Sequence, residues 1–314
     1  MPPRESEFEE TEYRRALFDQ LCSTRLLWEP GQVFENHVGF DVALHTTHTA
    51  LLSLYGYETP LRGVALTHRR WISLREPWPT KELPPFKFNL FVQAKRPSFR
   101  TRLTKQYRAH GLNSPYWRFD VVPHQQTALK RLKEFVGRRA IVCYACPAFH
   151  LQEELYKRQV NNDIVENSSF PDVLKLVNHS AWSFSEPGAR GVANSIPESS
   201  DGPSLEEQIS KLLDREIEDD RGLSQWIKNL EYLAKAVNHA LEPDVEKDAA
   251  ANETALFLQA RHRSALSVAE RYIKQLFGQQ EQRAMRSFLA VAFFSQIMKL
   301  DWCVAGSLKH RGTL

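Results

Sequence analysis

Cysteine is scarce in this chain. Four residues in 314 are too few for a disulfide scaffold and point to a reducing, cytoplasmic setting. No apolar stretch approaches the roughly 20 residues that a membrane span needs. The longest near the C-terminus, Phe288 to Phe294, lies between Arg286 and Lys299 and reads as a buried helix, so no membrane is expected as a partner. The acidic, polar start MPPRESEFEE is unlike a secretory signal. A Walker A loop, a GxGxxG string and a nucleophile elbow are all missing, so the enzyme classes that depend on them have no signature here. Internal repeats and long low-complexity tracts are missing too. What remains, 42% apolar and 25% charged residues, is an ordinary globular composition, long enough for one large domain or two ordinary ones.

The most informative absence is local. Between Glu82 and Asp120 there are 37 residues without a carboxylate, and eight cations fall among them: Lys87, Lys95, Arg96, Arg100, Arg102, Lys105, Arg108 and Arg118. The net charge of +3 therefore combines a local +8 with about −5 elsewhere. Tyr107, Tyr116, Trp117 and several phenylalanines lie between these cations. Basic side chains interleaved with aromatics suit a phosphate backbone; a solvated surface loop is the plainer alternative. Arg96, Arg100, Arg102, Lys105, Arg108 and Arg118 are the candidate nucleic-acid contacts.

The periodicity predicts a helix over 6–22, with Phe8, Tyr13, Leu17 and Leu21 on one face. VGFDVALHT from Val38 alternates as a strand does. Residues 46–84 read as an irregular insertion, with a short strand near Gly63 to Leu66. FKFNLFVQAK, 86–95, is a strong strand ended by Pro97. A short helix is expected around Thr101 to His110 and a short strand over 116–122. Pro123 opens a helix carrying Leu129, Leu132 and Phe135/Val136 on one face and stopping at Gly137. AIVCYACPAF is a strand buried on both faces. Residues 157–203 read as an irregular excursion or linker. From Ser204 to about Ser307 the pattern is helical, broken at Glu242-Pro243-Asp244 and Phe277-Gly278. Helices alternating with apolar strands predict an α/β core over residues 1–156, followed by an α-helical domain over 204–314.

Two strings carry chemistry: Glu35-Asn-His-Val-Gly-Phe-Asp41 and Gln93-Ala-Lys95. Alternation puts Phe88, Leu90, Val92 and Ala94 on one face of the second strand, with Gln93 and Lys95 together on the other. A lysine in so apolar a run is costly to bury unless something anionic lies near. If the two strands pair, Asp41, Gln93 and Lys95 converge on one rim. Asp41, with Glu35 or the Gln93 carbonyl oxygen, would offer hard oxygen ligands to Mg2+ or Mn2+. A metal so held lowers the pKa of a bound water, which Lys95 would orient or deprotonate, in phosphodiester hydrolysis.

These residues resemble the PD-(D/E)XK nuclease superfamily, whose pattern is an acid, a second acid on a strand, and (Asp/Glu/Gln)–x–Lys on the next strand. Gly39-Phe40-Asp41 is similar to its central motif, Gln93-Ala-Lys95 to its last, in the glutamine variant of Mrr-like enzymes, and Glu35 to its preceding acid. Gln125 or Gln126 resembles the helical glutamine of several branches; Gln126 is taken as the positioning residue. The resemblance covers residues 6 to 150 and implies a restriction-endonuclease-like α-β-β-β-α-β core, Mg2+-dependent endonuclease activity on DNA rather than RNA, and a role in bacterial antiviral defence. The glutamine at 93 leaves open a catalytically inactive nuclease fold that binds nucleic acid or serves as a scaffold subunit. The apolar stretch Phe288 to Met298 leaves open a helical half that binds a protein partner or a second copy.

Other signals have plainer readings. Cys143 and Cys146 have zinc-like spacing without a second pair and read as core thiols. His45 and His48 read as metal ligands or, more simply, ordinary polar residues, His37 as a histidine approaching the site or a surface one, Asn178 to Asn194 as a substrate loop or a packing loop, and Glu216 to Asp220 as a solvated helix end.

Overall fold

Two sheets and two groups of helices organise the chain in the computed structural model, which describes residues 3–23, 27–28, 86–214, 223–243, 249–276 and 279–306. Glu35, Asp41, the strand from Val38, the 46–84 insertion, His37, His45, His48 and the 216–220 acidic run lie outside those residues. The fold is mixed α/β with C-terminal helices. The chain divides into two compact units. One holds the described residues up to Leu27, those of 87–214, and Lys299–Ala305; the other holds most of the C-terminal helical residues. Among the described residues no helix is long and apolar enough to cross a membrane.

In the first unit, strand β1 (Arg4–Glu5) precedes helix α1 (Glu10–Ser23) and the short β2 (Leu27–Trp28). Phe8, Tyr13, Leu17 and Leu21 are buried, as the spacing predicts. Next come β3 (Phe86–Ala94), β4 (Ser98–Arg100), helix α2 (Lys105–Ala109), β5 (Tyr116–Asp120), helix α3 (Pro123–Val136) and β6 (Ala140–Pro147). Pro123 sits in the first turn of α3, where its missing N–H costs nothing, and Gly137 ends the helix at φ +53°. The remainder comprises α4 (Gln152–Asn161), β7 (Ser168–Ser169), β8 (Ala181–Phe184), β9 (Gly191–Asn194), β10 (Glu198–Ser200) and α5 (Leu205–Leu213).

The five-stranded sheet runs β2-β11-β3-β6-β7, where β11 is Asp301–Gly306. Strands β3 and β6 pair in parallel, with Gln93 opposite Tyr144 and Ala94 opposite Ala145. Phe88, Leu90, Val92 and Ala94 pack with Ile141, Cys143 and Ala145 against Tyr13, Leu17 and Leu155. On the other face Phe91 stacks on Trp302, whose Nε1 donates to Asn89 Oδ1 at 3.2 Å. Residues of both faces of β3 are buried, which accounts for its nearly continuous apolar sequence.

The six-stranded sheet, β1-β4-β5-β8-β9-β10, is antiparallel throughout. Residues 157–203, expected as an irregular excursion, supply three of its strands. Those strands are three or four residues long, too short for alternation to show in the sequence. A Cβ at position 191 would collide with the buried Trp182 ring, so Gly191 lets β9 lie against it. Asp301–Gly306, expected as helix, is strand β11. Lys299 adopts φ +55° and stops the preceding helix, while Trp302, Cys303, Val304 and Ala305 are buried in the sheet.

The second unit contains α6 (Leu223–Ala240), α7 (Ala249–Leu276) and α8 (Gln279–Met298), separated at the two breaks read from the sequence. Trp226, Leu230, Leu233 and Val237 form the buried stripe of α6. Phe288, Leu289, Val291, Phe293 and Phe294 of α8 are buried. His262 of α7 is 0% exposed, and its Nε2 lies 2.8 Å from the Ala290 carbonyl, to which it donates. Its Nδ1 has no hydrogen-bond partner among the described residues.

Burial lowers the His262 pKa, against the raising effect of the Ala290 carbonyl, and Arg263 lowers it further. Its folded value therefore lies below the unfolded value of about 6.5. The stability it confers is fully present above that value and is lost as pH falls through the folded one. Denaturant midpoints of the full chain should drop as pH falls below about 6.5, and His262→Phe should flatten the drop. An unchanged slope in the variant would assign the effect to other groups.

Candidate active site around Lys95

Lys95 follows the last residue of β3, and its backbone N–H donates to the Ala145 carbonyl of β6 at 2.8 Å. That bond extends the parallel ladder by one residue and fixes the direction of the side chain. The residue is 7% exposed. Its Nζ donates to Gln125 Oε1 at 3.3 Å and lies 5.6 Å from the centre of the Tyr144 ring. A neutral amide oxygen and a ring face offer partial negative charge without a formal counter-charge. Among the described residues no carboxylate is within ion-pair distance of this amine. Burial accordingly lowers the Lys95 pKa; the charge of Glu10 opposes the shift and Lys299 adds to it. His124, one residue before Gln125, is lowered by burial and then by the Lys95 charge.

The two glutamines that open α3 do different work. Gln126 Nε2 donates to the Val173 carbonyl at 2.7 Å, and its Oε1 accepts from Tyr144 OH at 2.7 Å. Both ends of that amide are engaged in holding α3 to β6 and to the turn at Val173. Gln125, its neighbour, reaches Lys95. Of the sequence-derived site residues, Gln93, Lys95 and the pair Gln125/Gln126 are brought to one side of the β3–β6 pair, where Gln93 stands opposite Tyr144. Tyr144 joins them through the β3–β6 register, while Glu10 and His124 are linked to Lys95 through charge; none of the three carries a signal in the sequence. Among the described residues no group of three His, Cys, Asp or Glu could hold a metal. Glu35 and Asp41, the two carboxylates expected there, lie outside those residues.

The cations of the acid-free window separate. Arg96 turns back to the N-terminal segment: its Nε donates to Ser6 Oγ at 3.0 Å, its Nη2 to the Ser6 carbonyl, and its Nη1 meets Glu9 at 3.4 Å. Strand register pairs Ser98 with Arg118 and Arg100 with Tyr116, so these four share one face. Phe99, Trp117 and Phe119 take the other face, where Phe119 packs 5.4 Å from Tyr144 and Phe99 stacks on His150. Arg100 and Arg118 thus face away from the five-stranded sheet. Arg118 donates to Tyr107 OH at 3.3 Å and pairs with Asp120 at 3.1 Å. Tyr107 belongs to α2, which lies over this outer face. Arg102, Lys105 and Arg108 are exposed on and beside α2 and form no ion pair among the described residues.

Cys143 and Cys146 are buried, and burial pushes the Cys143 thiol up to about 12 and raises Cys146 as well. Both are inert core thiols.

The split between the glutamines is testable by denaturation. Gln126→Ala strands the Tyr144 hydroxyl and the Val173 carbonyl, and should cost about 1–3 kcal/mol. Gln125→Ala should cost less than Gln126→Ala while shifting the Lys95 titration. Equal losses of stability would contradict these separate roles.

No family model matches the chain, nor does any curated protein or solved structure.

Proposed function

We propose that this chain is a metal-dependent nuclease that hydrolyses phosphodiester bonds of DNA through a PD-(D/E)XK-like core. One observation carries the reading: a lysine amine withdrawn from water at the end of β3, on the same face as Gln93, and held by a glutamine of α3, the helix that leads into the parallel neighbour β6. After Gln-x-Lys the chain passes through β4, α2 and β5 of the other sheet before reaching α3 and the parallel strand β6; the closing helix and strand are the part that supports the resemblance. A lysine whose pKa is lowered by burial gives up its proton more readily than an exposed one, which suits orienting or deprotonating a water.

Carboxylate and amide oxygens of the kind Glu35, Asp41 and Gln93 carry would suit a hard cation such as Mg2+ or Mn2+ better than a thiophilic one. Gln93, with Asp41 and Glu35, would hold it. When bound, such an ion would lower the pKa of a water and neutralise charge on the phosphate. Lys95 holds its proton donor or acceptor site against that face, and Gln125 orients the amine. The cations on α2 would grip backbone phosphates flanking the scissile one. Glutamine at 93, where most such sites carry an acid, favours a second reading, a binding-only scaffold of the same fold.

Cleavage of plasmid and single-stranded DNA with Mg2+ or Mn2+ separates the two readings. Asp41→Ala and Lys95→Ala should each lower the rate by about 10²-fold or more. Undiminished cleavage in both variants sinks the site; absent wild-type cleavage with intact salt-sensitive binding selects the scaffold. In the same binding assay, alanine at Arg102, Lys105 or Arg108 should reduce the slope of log affinity against log salt by about one each. An unchanged slope would remove α2 from the interface.

A further inference from the structure

The sulfur atoms of Cys22 and Cys303 lie 3.8 Å apart across 281 positions of sequence. Cys22 is the penultimate residue of α1, and Cys303 lies within β11, the strand beside β3. A second link ties the same two elements: Arg14 Nε donates to both Asp301 carboxylate oxygens, at 2.7 and 2.6 Å. The Asp301 side chain is largely buried, so this two-oxygen pair holds the helix and the strand at a set spacing. Cys303 is fully buried and Cys22 half-buried, so of the two residues Cys22 is the one nearer to a reagent in solvent.

We propose that Cys22 and Cys303 are a thiol–disulfide modification site, with a low-molecular-weight disulfide such as oxidised glutathione as the oxidant. The Cys22 thiol loses its proton to solvent, and its thiolate attacks one sulfur of that disulfide. The disulfide's S–S bond breaks and one glutathione leaves as thiolate. Cys303, deprotonated in turn, attacks the Cys22 sulfur and displaces the second glutathione. Two protein thiols are oxidised, and the glutathione disulfide takes up their two electrons and two protons as two thiols. Reaching bonding distance from the present contact needs about 1.8 Å of approach, and Cys22 is one residue from the end of its helix.

The other two cysteines do not compete. Cys143 and Cys146 are three apart on one strand and so point to opposite faces, and burial raises both thiols. The bond would close a ring of sequence from α1 to β11 that includes β3 and the helices of the second unit. It removes conformations from the unfolded chain, so the melting midpoint of the oxidised form should lie above that of the reduced form.

The test uses the full chain, incubated with oxidised glutathione, alkylated and digested. A linked peptide containing Cys22 and Cys303 is expected, lost on treatment with dithiothreitol and accompanied by a higher melting midpoint before reduction. Cys22→Ser and Cys303→Ser should each abolish the link and the rise in midpoint. Recovery of Cys22 only as a glutathione adduct, of both residues as alkylated thiols, or of links to Cys143 or Cys146 overturns the proposal. The linked peptide is read from the wild type, so the outcome does not depend on either variant folding or on nuclease activity.

Discussion

Taking a lysine amine out of water at the end of a strand constrains everything packed around it. Without compensation a buried ammonium costs several kcal/mol or loses its proton. Here the compensation is partial: the Gln125 carbonyl oxygen, the Tyr144 ring face, and the more distant charge of Glu10. Each of these depends on a different element. Tyr144 is set by the parallel register of β6 on β3. Gln125 is set by α3, the helix preceding β6, which Gln126 locks by bonding to Tyr144 and Val173 at once. Gln126, engaged at both ends, therefore fixes the turn of helix from which Gln125 reaches Lys95. The incomplete compensation leaves an amine that is easier to deprotonate than an exposed lysine, which is the property a water-activating group needs.

Charge distribution has to be separated from charge count. The eight cations of the acid-free window are adjacent in sequence, yet burial and register divide them. Lys95 lies under Tyr144, Arg96 is tied to Ser6 and Glu9, and Arg100 and Arg118 occupy the outer face of the other sheet. Only Arg102, Lys105 and Arg108 combine exposure with freedom from ion pairs among the described residues.

Much of this is legible in the sequence where a pattern runs long enough. Strands β3 and β6 are continuous apolar runs, α3 begins at a proline and stops at a glycine, and the helix breaks near 243 and 277 carry their own punctuation. The shared face of Gln93 and Lys95 follows from alternation alone. Short strands escape: β8, β9 and β10 carry serine, asparagine and glycine over three or four residues, and their pairing is fixed by partners distant in sequence. Strand β11 escapes because Trp302 to Ala305 continues the apolar character of α8, and only the left-handed Lys299 marks the change. Choosing between Gln125 and Gln126 requires the positions of Tyr144 and Val173, which no spacing supplies.

Nuclease activity as proposed requires Asp41, Gln93 and Lys95 to share one rim and act on one phosphate. Anomalous scattering from crystals grown with Mn2+ measures this directly. The expected result is an Mn2+ peak with Asp41 among its ligands, Gln93 beside it, and the Lys95 amine within about 5 Å of the Asp41 carboxylate, near enough to share one bound water. A peak elsewhere, or an Asp41 carboxylate on the face of the sheet covered by α1, would contradict it.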